Sequence, residues 1–114
     1  MVLLRVGALS SGALDAAAAF HDGILSMVLV TLEQSKDDLV LVFEPANHEY
    51  RPWRLAVVQQ LAREHAPRRV NALESDDEDA IAAALGYIKQ APGLTGQLLK
   101  LDGTGAKALL SSST

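Results

Sequence analysis

The residues best placed to bind a ligand lie in a polar loop that follows the hydrophobic run Leu39–Phe43. Asn47, His48 and Glu49 provide an amide, an imidazole and a carboxylate, and Tyr50 adds a phenol. An unbroken run of strand-forming residues is typical of a strand that is buried on both faces of a parallel sheet. Because such sheets bind ligands at the carboxyl ends of their strands, Asn47, His48 and Glu49 are the candidate binding residues.

Other reactive groups do not combine into a recognisable site. His21, His48 and His65 lie on separate predicted elements, so we expect no metal centre. The chain has no cysteine, which excludes disulfides and thiolate catalysis. No nucleophile elbow or phosphate-binding loop motif is present. The acidic run 76–79 is explained by a capping box at a helix start, with Ser75 as the capping residue.

Length and composition predict one small globular domain. The chain has 114 residues, of which 49% are hydrophobic, and a net charge of -4. The negative charge argues against nucleic-acid binding, which requires basic residues to neutralise phosphates. The apolar stretch 13–32 approaches the length of a membrane span, but Asp15, His21 and Asp22 interrupt it. We therefore expect a cytoplasmic protein without membrane contact. We also expect the clustered arginines to be solvated: Arg51, Arg54, Arg63, Arg68 and Arg69.

Strand and helix signals alternate along the chain and predict an α/β fold. We expect four parallel strands in the order βαβαβαβ, packed with helices into two or three layers. If the strands lie in sequence order, right-handed connections place the first two helices on the same face. The predicted domain is 1–103, followed by a flexible tail, 104–114. The strands are predicted at 2–8, 39–43, 69–73 and 97–101, and the helices at 13–36, 52–66 and 80–90.

The first predicted helix has more apolar surface than one sheet can cover. Asp15, Asp22, Ser26 and Glu33 fall in a stripe about 40° wide at helical spacing, and nearly all other positions are apolar. Exposed apolar surface of this kind usually marks an interface. We therefore predict a two-fold homodimer through helices 13–36 and 52–66. Its predicted interface residues are Phe20, Ile24, Met27, Val28, Leu32, Trp53 and Val57.

Two runs in the second half of the chain carry a family resemblance. The first is LAREHAPRRVNAL at 61–73, and the second is LTGQLLKLDG at 94–103. They resemble a helix end followed by an "RVNA" strand, and the "ITGQ" closing strand, of short-chain dehydrogenases/reductases. The resemblance covers 54–103 well and extends loosely to 13–43. It implies a Rossmann-like fold and, as is common in that family, dimerisation through two long helices in a four-helix bundle.

The chain departs from that family at the residues that perform its chemistry. The family's Gly-rich dinucleotide loop is matched only by 7–12, which lacks the G-x-G core. The family's catalytic pair is Tyr-x-x-x-Lys, in which tyrosine donates a proton to a carbonyl and lysine lowers its pKa. Tyr50 and Arg54 have this spacing, but arginine does not replace lysine freely, and the following helix is about one turn too short. We expect Tyr50 and Trp53 to pack against the helix start, with Arg54 solvated.

The sequence thus predicts a non-catalytic, dimeric domain with a structural, interaction or accessory role. We expect no cofactor, NAD(P) included, and a full-length reductase is a second candidate partner. Two alternatives remain open: a binder of small molecules or nucleotides at the strand ends, and a weak NAD(P)-dependent reductase that uses Tyr50 and Arg54.

Overall fold

A four-stranded parallel sheet forms the centre of the molecule in the computed structural model, which describes residues 1–101. The predicted α/β fold with four parallel strands is confirmed, and the strands lie in sequence order across the sheet. The predicted tail, 104–114, falls outside the described residues. The strands are β1 (Val2–Arg5), β2 (Leu39–Phe43), β3 (Val70–Glu74) and β4 (Leu98–Lys100).

Three helices connect these strands. They are α1 (Ala13–Gln34), α2 (Arg51–His65) and α3 (Glu78–Lys89). A single 3₁₀ turn, His48–Tyr50, leads into α2, whose second residue is the proline that the first helical turn tolerates. The element order is therefore the predicted βαβαβαβ.

Both faces of the sheet are covered, which gives three layers. Alternate residues of β2 point to opposite faces. Leu39, Leu41 and Phe43 pack in one core with α1 and α2, whereas Val40 and Val42 pack in a second core with α3. The first two helices thus share one face, as predicted, and among the described residues α3 is the helix that covers the other.

The position of α3 requires a change of hand. The connections through α1 and α2 step across the sheet in one direction with their helices on one face. The connection through α3 continues in the same direction with its helix on the opposite face, so its hand is opposite. Right-handed connections are the rule, and α3 is the exception that covers the second face of β2 and β3.

A π-helical segment, Phe20–Ile24, interrupts α1. The buried residues Ala16, Phe20, Val28 and Leu32 are separated by multiples of four. In a regular helix each step of four rotates the buried direction by about 40°. The wider turn of the π segment takes up part of this rotation, so both ends of α1 keep their apolar side toward the sheet.

Several predicted boundaries need correction. β1 ends at Arg5 instead of residue 8, because β2, the strand that it pairs with in the described part of the chain, ends at Phe43. α1 ends two residues earlier than predicted, at Gln34, where Ser35 is extended and its Oγ accepts a hydrogen bond from the Asp37 N–H. β2 has the predicted bounds, and the ends of the remaining helices and strands shift by one or two residues.

The cap of α3 also differs from the prediction. Asp77, not Ser75, is the N-cap, and its carboxylate accepts hydrogen bonds from the N–H groups of Asp79 and Ala80. Ser75 is buried, and its Oγ instead accepts from the Asp77 N–H. Serine and aspartate are both favourable caps. Asp77 is the cap here because it directly precedes the first helical turn.

Two consecutive arginines fasten helix ends on opposite faces of the sheet. Arg68 donates to the carbonyls of Leu32 and Ser35 at the end of α1. Arg69 donates to the carbonyls of Ile88 and Ala91 at the end of α3. A cation at a helix C-terminus complements the helix dipole. The expectation that these arginines are solvated is therefore wrong.

Arg69 also pairs with Asp38, which precedes β2. Its backbone N–H and its Nε each lie 2.8 Å from a carboxylate oxygen of Asp38. Desolvation by partial burial raises the pKa of Asp38, but the hydrogen bonds and the positive charge of Arg69 outweigh it and hold that pKa below the ordinary value of 3.8. The pair links the start of β2 to the start of β3.

By length and composition alone, α1 could also cross a membrane. Its best 18-residue window has a mean hydropathy of 1.5, and 17% of that window is buried within the molecule. A core helix of a globular protein passes the same test, and α1 places Ala16, Phe20, Val28 and Leu32 against the sheet.

Candidate functional site

A polar cavity of about 280 Å³ lies at the carboxyl ends of β1 and β2. One wall is the loop that connects β1 to α1, and the other is the loop that connects β2 to α2. We call it the strand-end cavity. It is lined by Gly7, Leu9, Ser10, Ser11, Phe43, Glu44, Pro45, Ala46, Asn47, Tyr50 and Arg54.

Arg54 lines this cavity and is only 4% exposed. Its Nη1 lies 2.9 Å from Oε2 of Glu74, which is equally buried at the end of β3. The same Nη1 donates to the backbone carbonyl of Glu44, 2.9 Å away. The expectation that Arg54 is solvated is therefore wrong: its charge is buried and neutralised.

Aromatic rings surround the guanidinium group. Its central carbon lies 4.7 Å from the ring centroid of Phe43, 5.2 Å from that of Tyr50 and 5.7 Å from that of Trp53. Arginine is the cation that tolerates such contacts best, because its flat and weakly hydrated group stacks on aromatic faces. The prediction that Tyr50 and Trp53 pack at the start of α2 agrees with this arrangement.

The Tyr50 hydroxyl is turned toward the start of α1. It accepts a hydrogen bond of 2.8 Å from the N–H of Gly12, the residue that precedes the helix. Gly12 has a φ of 92°, in the left-handed region that favours glycine. Arg54 approaches the ring of Tyr50 and gives its Nη1 to Glu74. The two side chains are therefore neighbours, and Nη1 of Arg54 is engaged by Glu74.

The other candidate residues of the loop differ in whether they line the strand-end cavity. Asn47 lines the strand-end cavity and caps the 3₁₀ turn, and its Oδ1 accepts a hydrogen bond from the N–H of Glu49. His48 and Glu49 lie on that turn, are exposed and do not line the cavity. Within residues 1–101, no cluster of three acidic or histidine side chains is arranged to hold a metal ion.

The predicted interface residues also divide. Phe20, Val28, Leu32 and Val57 are buried against the chain's own sheet, so their side chains are not available to a partner. Ile24 and Trp53 are half-buried, and Met27 is 55% exposed. The exposed apolar residues of α1 also include Leu29 and Val30, at 40% and 47%. Four of these side chains therefore pack within the chain, and the dimer and its predicted interface residues stay predictions.

A second depression, of about 520 Å³, runs between α1 and α2 on the outer surface. We call it the helix groove. Leu25 and Leu29 contribute from α1, and Trp53 and Ala56 contribute from α2, so its floor is mainly apolar. Its full lining is His21, Leu25, Leu29, Trp53, Ala56, Val57, Gln59, Gln60, Leu61, Arg63 and Glu64.

Sequence reasoning missed Glu74 and the part played by the loop before α1. Glu74 ends a strand in which every residue is buried, and the register places it beside Phe43. A charged residue at that position signals a buried partner, since carboxylates are almost never fully buried alone. Aligning the ends of β2 and β3 would have brought Glu74 close to the start of α2.

Comparisons with known proteins bear on the ancestry of this arrangement. A family model described as short chain dehydrogenase-like protein (SDR-like) matches residues 4–101. No curated protein and no solved structure matches the chain. The match spans all four strands except the first two residues of β1.

Proposed function

The chain belongs to the short chain dehydrogenase-like family, and from this premise we propose that it is a non-catalytic, dimeric member with an interaction or accessory role. The observation that carries the proposal is the apolar outer surface of α1 and α2. Leu29 of α1 is 40% exposed, and it lines the helix groove, whose floor is mainly apolar. Exposed apolar surface of this extent on a small domain usually belongs to an interface.

A second copy of the chain is the occupant that we propose for the helix groove. In a two-fold dimer the same patch of both copies forms the contact, so the groove has to carry residues that complement one another. Leu29 lines the groove from α1, and the exposed residues Arg63 and Glu64 line it from α2. Under two-fold symmetry, Arg63 of one copy can pair with Glu64 of the other, which would fix the register.

The non-catalytic part of the proposal rests on the surroundings of Arg54 and Tyr50. A cation that activates a tyrosine must act on its hydroxyl, but the charge of Arg54 is neutralised by Glu74 at 2.9 Å. The hydroxyl of Tyr50 already accepts a hydrogen bond from the N–H of Gly12. Both groups therefore have structural roles in this fold.

Light scattering on purified protein tests the dimer. We expect the wild type at micromolar concentration to have twice the chain mass of 12.1 kDa. Leu29→Glu and Ala56→Glu place a charge on either wall of the helix groove, and each should give a monomer with unchanged circular dichroism. Met27→Glu is the matched control, because Met27 is exposed on the same helix but outside the groove lining.

The other outcomes would contradict the proposal. A monomeric wild type removes it, and a wild type that instead sediments with lipid vesicles assigns the surface of α1 to a membrane. If Met27→Glu gives a monomer and the two groove variants do not, the interface lies on another side of α1, and the proposed contact through the helix groove is wrong. Oxidation of NAD(P)H by the wild type across a panel of carbonyl compounds would contradict the non-catalytic part.

A further inference from the structure

The outer edge of β1 presents backbone groups that have no partner among residues 1–101. β1 lies at one end of the sheet and pairs with β2. The N–H of Val2 donates to the carbonyl of Asp38, on the β2 side. Because the direction of these groups alternates along a strand, Leu3 and Arg5 turn their N–H and C=O groups outward. Unpaired groups at this spacing are a template for a further strand.

The opposite edge of the sheet is protected by a side chain. In β4, the N–H of Leu101 donates to the carbonyl of Glu74, so the backbone groups of Leu98 and Lys100 face outward. The outward carbonyl of Leu98 accepts a hydrogen bond of 3.1 Å from Nη2 of Arg51. A side chain on an edge acceptor hinders the addition of a strand. Since β1 has no such contact within residues 1–101, it is the edge open to a partner.

One flank of α1 extends this edge on the face of the sheet that carries α1 and α2. Consecutive residues of a helix are about 100° apart. Val28 is buried and Leu29 lines the groove toward α2, so Met27 lies on the opposite flank, away from α2. Because α2 packs over β3 and β4, α1 lies over β1 and β2. Met27, which is 55% exposed, therefore faces past the edge of β1.

A second copy of the chain fits this edge in an antiparallel arrangement. A two-fold axis perpendicular to the sheet pairs β1 with its own copy, with Leu3 opposite Leu3. Val2 then lies opposite Leu4 of the second copy, so apolar residues meet on both faces of the sheet. A register shifted by two residues would instead place Leu3 opposite the charged Arg5.

The charges at the ends of β1 are complementary in this register. Arg5 comes beside residue 1 of the second copy, whose amino group lies 4.0 Å from Asp37. The side chains of Arg5 and Asp37 are 51% and 67% exposed. The two-fold axis therefore brings Arg5 of each copy toward Asp37 of the other, which favours association.

The spacing of the helices also suits this arrangement. Neighbouring strands are about 4.8 Å apart, so two α1 helices, each over its own β1 and β2, lie about 10 Å apart. Packed helices have distances of about 8–10 Å. We propose that the β1 edge and the Met27 flank form a second two-fold interface, which joins two copies through one sheet with four strands from each. This contact is separate from the helix groove and does not rest on the proposed groove dimer.

Sedimentation equilibrium on the full chain tests the proposal. A pair of four-residue strands is a small interface, so we compare about 10 µM and about 1 mM protein, on either side of an expected dissociation constant of about 100 µM. Leu29→Glu, which removes the groove contact, should rise from the mass of one chain to that of two. The wild type should rise from two chains to four or more. A Leu29→Glu variant that stays at one chain overturns the proposal, whether or not the wild type forms the groove dimer.

Proline variants of the Leu29→Glu chain test the edge itself. Arg5→Pro removes an outward N–H but keeps the hydrogen bonds from β1 to β2, so it should stay at one chain at the higher concentration. Lys100→Pro is the matched control, because it removes an outward N–H from the last residue of β4 and should still form two chains. Met27→Glu should act as Arg5→Pro does. Equal masses of the two proline variants would overturn the assignment to β1.

A cysteine at the two-fold axis tests the register without proline. The chain has no cysteine, so Leu3→Cys introduces a single thiol. Opposed residues of an antiparallel pair have Cα atoms about 5.5 Å apart, within the ~4.4–6.8 Å of disulfides. Mild oxidation should therefore link two Leu3→Cys chains. Leu4→Cys, opposite Val2 of the second copy, is the control and should link far less, and equal linking of both variants would overturn the proposed pairing.

Discussion

At the scale of single residues, the ion pair of Arg54 and Glu74 dominates the end of the sheet. Both side chains are about 95% buried, and the pair joins α2 to the end of β3. A buried charge is costly unless it is paired, so each partner makes the other tolerable. The aromatic faces of Phe43, Tyr50 and Trp53 complete the surroundings of the cation.

Removing one partner of this pair should destabilise the fold strongly. We expect Glu74→Gln to lower the free energy of unfolding by about 3–5 kcal/mol, because it leaves the Arg54 charge uncompensated. Urea denaturation followed by circular dichroism measures the loss. Adding Arg54→Met to Glu74→Gln should cost less than the sum of the two single changes, since the pair acts as a unit.

The surface pair of Arg5 and Glu78 is the matched control. It has the same residue types and two hydrogen bonds of 2.9 and 2.6 Å, but its side chains are 51% and 69% exposed. We expect Glu78→Gln to change the free energy of unfolding by less than about 1 kcal/mol. Equal effects of Glu74→Gln and Glu78→Gln would show that burial does not decide the contribution of this pair.

The sequence alone did not reveal the environment of Arg54. The spacing from Tyr50 to Arg54 draws attention to a catalytic pair, but the partner that decides its role, Glu74, is 20 residues away. Only the register of β2 against β3 brings Glu74 to the start of α2. Local patterns identify which residues are unusual, whereas the parallel pairing of strands decides which of them meet.

At the scale of elements, Arg68 and Arg69 show how one strand start holds two helices. Consecutive side chains of an extended segment point to opposite faces. Arg68 therefore reaches the end of α1 on one face, and Arg69 reaches the end of α3 on the other. Asp38 orients Arg69 through its backbone N–H and its Nε.

Stability should depend on pH through Asp38. Its pKa is lower in the folded chain than the ordinary 3.8, so the pair stabilises the fold above about pH 4, and this contribution is lost as the pH falls through the lowered pKa. We expect Asp38→Asn to reduce the free energy of unfolding by about 1 kcal/mol at pH 7. The difference from the wild type should shrink as the pH falls below 3.8.

Asp37→Asn is the control for this experiment. Asp37 is 67% exposed, and its nearest cation is the chain's amino terminus at 4.0 Å. It should leave stability at pH 7 nearly unchanged. A destabilisation by Asp38→Asn that persists undiminished in acid would mean that packing, not the charge of Asp38, holds the two strands.

Elements with a strong sequence pattern were predictable, whereas a boundary at which two residues compete to be the cap was not. The hydrophobic run 39–43 predicted the bounds of β2 correctly, because every residue in it favours a strand and every one is buried. The start of α3 was misassigned because Ser75 and Asp77 are both good caps separated by one turn residue. The π segment of α1 could not be assigned from local sequence, since it arises when buried residues spaced by four pack against one face of the sheet.

At the scale of the whole molecule, the unusual feature is how three helices cover four strands. With strands in sequence order, a constant hand would place all three helices on one face and leave Val40, Val42 and Leu73 exposed. Reversing the hand at α3 buries these residues. Within residues 1–101, this arrangement leaves two helices on the other face, and the outer side of α1 is not covered by the described part of the chain.

Thermal unfolding should therefore depend on protein concentration. A dimer that dissociates on unfolding is stabilised by mass action, and a tenfold rise in concentration should raise the Tm of the wild type by about 3 °C. Leu29→Glu, which places a charge in the helix groove, should have a Tm that is independent of concentration. Met27→Glu, outside the groove lining, should keep the wild-type dependence. A wild-type Tm that is constant over a hundredfold range of concentration would mean that α1 remains exposed to water in the native protein.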